Sequence, residues 1–161
     1  MKTTKLKKVL IALDYDPTAK KVVESGFSLA TAMKAEVTLL HIISDPVYYA
    51  STAYSPIMGL SSEMEIFPMQ LDNIEGLKEV SQHFLEKFKR HLGDETIKTL
   101  VEEGDFASTI LKTAKSIHAD VIVMGSHSKK WLENIVMGSV TGNVLRHTTI
   151  PLFIVPTKKP E

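Results

Sequence analysis

The sequence predicts an open α/β sheet, parallel, five-stranded and covered by helices on both faces. Three observations carry that expectation. Five short apolar runs are separated by four stretches with helical periodicity, and strands alternating with helices produce parallel sheets through crossover connections. The first run, Lys8 to Leu13, shows no polar alternation, as expected of a strand buried on both faces. The fourth, Val121 to Met124, leads directly into a glycine and small-residue segment, the local chemistry of an anion-binding loop.

Taken in order, Lys8 to Leu13 is the first strand and Asp14 closes it. Pro17 and Thr18 open a helix whose apolar positions Val22, Val23, Phe27, Ala30 and Met33 recur at helical spacing, marking one buried stripe. Val37 to Ile43 is the second strand, ended by Asp45-Pro46, because proline lacks the N–H a ladder needs. Residues from about 44 to 70 hold Tyr48, Tyr49, Tyr54, Pro56 and Pro68 without a sustained period, and read as a long loop of the kind compact domains reserve for function. Leu71 to Leu92 is an amphipathic helix built on Ile74, Leu77, Phe84, Leu85 and Phe88 and stopped by Gly93. Thr96 to Val101 is the third strand. Gly104-Asp105 leads into a helix marked by Phe106, Ile110, Leu111, Ala114 and Ile117, and Asp120 precedes the fourth strand. A helix over Ser139 to His147, a last strand over Pro151 to Val155 and a polar tail, residues 157–161, complete the chain.

Composition narrows the function. The 161 residues suffice for one domain spanning 1–161, with a core that buries about two thirds of the unfolded surface. Basic and acidic residues balance at 19 each, so no net field recommends nucleic acid or a membrane as partner. The absence of cysteine excludes disulfides, thiolate metal sites and thiol catalysis, and is compatible with the cytoplasm. The basic start before Val9 superficially imitates a secretory signal, but its apolar run ends at Asp14 and is too short for export or for spanning a bilayer.

The site reading rests on Val121 to Val140. Gly125 follows an apolar strand, where glycine tolerates a sharp turn, a positive φ and the close approach of an anion. Gly138 and Ser139 stand at the start of the last helix, whose unbonded N–H groups can point at the same anion. In open parallel sheets, ligands gather beyond the carboxyl ends of the strands where the strand order reverses; Asp14, Ile42 and Gly125 all fall at such ends.

The spacing Gly125-x-x-Ser128, nine residues, then Gly138-Ser139 resembles the nucleotide-binding signature of the universal stress protein family, with Ser128 where the family carries its second glycine. The resemblance runs over nearly the whole chain. It implies strand order 3-2-1-4-5 in an adenine-nucleotide alpha-hydrolase-like fold, and a homodimer formed through the last strand. It also implies ATP, or ADP or AMP, as ligand: Asp14 on the adenine or ribose side, Ile42 and Met124 as apolar contacts to the base, and Gly125, Ser128, Gly138, Ser139 and the Val140 N–H around the phosphates. Magnesium would then be held by phosphate oxygens and water, since no acidic pair lies beside the loop.

Lys129 and Lys130 follow the cradle and either neutralise phosphate or are simply solvated. His127 has no serine and carboxylate to complete a relay, His41 reads as a core histidine, and the other histidines lack metal-ligand spacing. No catalytic residue and no metal site are expected. A slow ATPase would need a positioned nucleophile and firmly held metal, for which only the lysines are candidates. Two other readings stay open. One is a dimeric interaction protein whose site has degenerated at Ser128; the other, a phospho-acceptor receiver, would use Asp14 and Asp16 but finds only Glu102 and Glu103 near its acceptor position.

Overall fold

The computed structural model describes residues 5–14, 17–44, 74–126 and 139–157. Their elements run β1 (Lys8–Leu13), α1 (Ala19–Met33), β2 (Glu36–Ile43), α2 (Ile74–Leu92), β3 (Lys98–Glu103), α3 (Phe106–Ser116), β4 (Val121–Gly125), α4 (Ser139–His147) and β5 (Leu152–Val155). The strands form one sheet in the order 3-2-1-4-5, with every neighbouring pair parallel. Most of the long loop expected at 44 to 70, the start of the second helix at Leu71 and the end of the polar tail lie outside the described residues.

Alternate residues of β1 explain why its sequence shows no alternation of polarity. Val9, Ile11 and Leu13 pack toward α1 and α2 with Val23, Phe84 and Leu85. Leu10 packs on the opposite face with Leu40, Ile122, Ile110, Ala114 and Val144, under α3 and α4. Both faces of the central strand are therefore core, so the run from Val9 to Leu13 is apolar throughout.

The strand ends are set by local hydrogen bonding. Asp120 sews the amino ends of β1 and β4 together: its Oδ2 accepts from the backbone N–H of Lys7 at 2.8 Å and of Lys8 at 3.0 Å, and its own N–H donates to the Lys8 carbonyl at 2.8 Å. Gly93 ends α2 at φ 69°, a left-handed conformation that costs glycine little.

Several boundaries differ from the sequence expectation by one or two residues, and two strand starts have a clear local cause. The third strand begins at Lys98 rather than Thr96, because the Asp94 carboxylate accepts from the Thr96 N–H at 2.9 Å and from its hydroxyl at 2.6 Å. That local turn competes with the ladder for Thr96; pairing with β2 then carries β3 on to Glu103. The last strand begins at Leu152, one residue after Pro151, which has no N–H to give; the Pro151 carbonyl still accepts from Ile122 at 2.9 Å.

Helix α3 is entered through Asp105, whose carboxylate accepts from the Ser108 N–H and hydroxyl, each at 3.0 Å. These bonds, the backbone one foremost, hold its carboxyl below the usual value. A lowered folded pKa stabilises the fold above the unfolded carboxylate pKa, and that contribution is lost as pH falls through the folded one. Asp105→Ala is therefore expected to cost about 1 kcal/mol at neutral pH. Urea unfolding should show the difference from wild type narrowing below about pH 4.

Candidate functional site

The strand order reverses between β1 and β4, so the chain leaves their carboxyl ends in opposite directions and opens a crevice there. Asp14, half-buried, follows directly on β1, and Met124 and Gly125 end the adjacent β4. Ile42 lies near the carboxyl end of β2. Ile42 and Met124 are 4% and 5% exposed and belong to the same packed face, against which the half-buried Val140 of α4 also packs. Ser139 is exposed at the helix start. The structure thus gathers Asp14, Ile42, Met124, Gly125, Ser139 and Val140 at one end of the sheet. Ser128 and Gly138 lie outside the described residues, as do His127, Lys129, Lys130 and the three tyrosines at 48, 49 and 54.

Gly125 acts differently from the sequence expectation. It is the last residue of β4, paired with Val155, and is not among the positive-φ glycines, which in the described residues are Gly93 and Gly104. A Cβ at this position would lie 3.0 Å from Thr157 Cγ2 and 3.0 Å from Val22 Cγ2. Glycine suits the close packing between α1 and the segment after β5, where a Cβ would press tightly on both methyl groups.

The backbone around Gly125 is already engaged. Its carbonyl accepts from the Thr141 hydroxyl at 2.8 Å, and the next N–H, of Ser126, donates to the Val155 carbonyl at 2.9 Å. Ser126 Oγ in turn accepts from the Thr157 N–H at 3.1 Å. Since the Ser126 N–H is committed to β5, an anion beside β4 must draw its donors from elsewhere. The first turn of α4 is suited to this, because N–H groups at a helix start lack intrahelical partners. Arg146 and His147 sit in the last turn of α4 and no acid in its first, a distribution that complements the helix dipole and leaves its amino end attractive to anions.

Sequence reasoning missed Ser126, Thr141 and Thr157. Thr141 had a faint signal, a hydroxyl on the inward stripe of a helix, where it is 2% exposed. Ser126 and Thr157 had none, since their pairing exists only once β4 and β5 lie side by side.

Other polar groups at this end are structural. His41, 1% exposed, is a core histidine as expected: Nδ1 donates to the Leu13 carbonyl at 2.9 Å, and the ring stands edge-on to Phe84 with centroids 5.6 Å apart. Glu103, at the carboxyl end of β3, lies 2.7 Å from Lys78 of α2. The bond to Glu103, ahead of its charge and that of Glu75, raises the Lys78 pKa. An acid held in a surface ion pair is ill-suited to accept phosphate, which weakens the receiver reading. No group of three His, Asp or Glu placed to hold a metal ion occurs among the described residues, and none of their helices is long and apolar enough to cross a membrane.

The sequence profile of the Universal stress protein family matches residues 5–156. The chain belongs to that family. Among universal stress proteins, it is 31% identical over 157 residues to MJ0577 of Methanocaldococcus jannaschii, covering 94% of this chain and 96% of that one. It is 29% identical to YxiE of Bacillus subtilis, over 92% of this chain and 97% of that one. The solved structure of MJ0577 superposes with a TM-score of 0.70 at 28% identity, over 98% of this chain and all of the other. A universal stress protein solved in complex with cAMP shares the fold, with a TM-score of 0.63 at 17% identity, covering 96% and 100% of the two chains.

Proposed function

We propose that this universal stress protein is a cytoplasmic adenine-nucleotide-binding module, with ATP as its ligand, whose output is a change of conformation and dimer surface rather than a chemical product. The observation that carries this reading is the placement of the first turn of α4 beside the carboxyl end of β4, joined by the 2.8 Å bond from Thr141 to Gly125. A helix start leaves N–H groups without intrahelical partners, and this one lies at the strand-order reversal, where sheets of this class bind phosphates. The cAMP complex of a family member supports an adenine nucleotide as the ligand class.

In this reading Asp14 faces the adenine or ribose, and Ile42 and Met124 offer aliphatic surface to the base. Gly125 supplies the close-packed floor, and Ser128, Gly138, Ser139 and the Val140 N–H hold the phosphates. Magnesium, bound through phosphate oxygens and water, would neutralise the triphosphate. A homodimer would form along β5, the edge of the sheet, where Phe153 is 40% exposed; an open edge with an exposed aromatic invites pairing with a second copy.

The test is to denature protein purified without added nucleotide, identify any released small molecule by mass spectrometry, and titrate the emptied protein calorimetrically with magnesium ATP. Binding is expected, and Gly138→Val should weaken it by at least about tenfold, or 1.4 kcal/mol, without unfolding the chain. Neither release nor binding heat at two temperatures would move the chain to the degenerate-site reading. Unchanged affinity in the variant would remove Gly138 from the phosphate site.

A further inference from the structure

We infer that Thr141 is a positioning residue for the nucleotide, fixing the peptide unit between Gly125 and Ser126 from one side while β5 fixes it from the other. The inference rests on the nucleotide-binding reading above and names what tunes that site. The Gly125 carbonyl and the Ser126 N–H belong to one planar peptide unit. Its oxygen accepts from the Thr141 hydroxyl at 2.8 Å and its N–H donates to Val155 at 2.9 Å. One rigid plane therefore bridges α4 and β5 at the end of β4.

Three features separate this bond from ordinary helix capping. A threonine in the first turn of a helix commonly bonds its own backbone, whereas Thr141 reaches across 16 residues of chain to another element. Its side chain is buried, at 2% exposure, so water cannot readily replace the contact. The far side of the same unit is backed independently. Thr157 is 4% exposed, gives its N–H to Ser126 Oγ at 3.1 Å, and places Cγ2 3.0 Å from where a Gly125 Cβ would stand. Neither α4 nor the segment after β5 can shift along β4 without breaking one of these contacts.

A phosphate held by the first turn of α4, on a nucleoside that lies against the end of β4, needs the helix start and the strand end at a fixed separation. When the separation is held before binding, the ligand does not spend its own interaction energy on ordering them. Removing the tether should consequently lower affinity. A purely structural hydroxyl would destabilise the empty and the loaded protein alike and leave the dissociation constant unmoved.

The experiment is calorimetric titration of nucleotide-stripped wild type, Thr141→Val and Thr141→Ser with magnesium ATP, alongside thermal unfolding of each empty protein. Valine matches threonine in shape but lacks the hydroxyl; serine keeps it. The expected result is a dissociation constant about tenfold higher in Thr141→Val and within about twofold of wild type in Thr141→Ser, whatever the shifts in unfolding temperature. Equal dissociation constants in Thr141→Val and wild type would overturn the inference and leave nucleotide binding standing, while wild type that binds no ATP would overturn both. Should Thr141→Val not fold, Thr141→Ala, which also removes the hydroxyl but adds no bulk, decides instead: affinity at least about threefold weaker supports the positioning role, and unchanged affinity rejects it.

Discussion

Replacing Phe84 with alanine is expected to lower the stability of the fold by about 3–5 kcal/mol, a fall in unfolding temperature of roughly 6–20 °C for a chain of this size. Phe84 is 1% exposed and stands edge-on to Phe88, with ring centroids 5.0 Å apart, and to His41 at 5.6 Å. Truncation opens a cavity that the rigid sheet beneath cannot close, so both the transfer and the cavity contributions are lost. The effect should reach the crevice as well. The ring of His41 is held between Phe84 and the Leu13 carbonyl, and Leu13 is the last residue of β1 before Asp14. Urea denaturation with a matching thermal melt checks the magnitude, and Phe84→Leu, which keeps much of the apolar volume, should lose less. A cost under about 1 kcal/mol would show that this face of the sheet repacks freely.

Saturating magnesium ATP is expected to raise the unfolding midpoint of the emptied protein. At a hundredfold excess over the dissociation constant, binding to the folded state alone adds about 2.7 kcal/mol, or roughly 5–11 °C. The shift should keep growing with the logarithm of nucleotide concentration, because linkage has no upper plateau when the unfolded chain does not bind. Differential scanning fluorimetry across a nucleotide series reads it directly, with magnesium GTP as a comparison for the base. A midpoint that ignores ATP throughout the series would contradict the proposed function, whatever the chain's resemblance to its relatives.

Much of the architecture was legible because its causes are local and periodic. The aliphatic runs of β1, β2 and β4, the apolar stripe of α2 and its glycine stop all report burial on a fixed period. Thr96 misled because the choice between strand and turn was made by the Asp94 carboxylate two residues earlier, a competition that periodicity does not register. The candidate site divided in the same way. Asp14, Ile42, Met124, Ser139 and Val140 could be placed at one end of the sheet because strand ends and helix starts can be counted along a chain. The packing at Gly125 was not legible, since the side chains that would crowd a Cβ there, Val22 and Thr157, come from elements remote in sequence. Thr141 escaped for a related reason: a hydroxyl's partner is a matter of tertiary geometry.

The Asp120 stitch has a consequence for how the molecule is made. It joins residues 113 positions apart, and the β1–β4 pairing beside it closes the middle of the sheet. On a ribosome, β1, β2 and β3 emerge before β4, and one side of the largely apolar β1 stays an open edge until β4 is synthesised. Unpaired edges of that kind capture other chains. The nascent protein therefore passes through an aggregation-prone interval whose length is set by translation speed, and chains released before residue 121 never leave it.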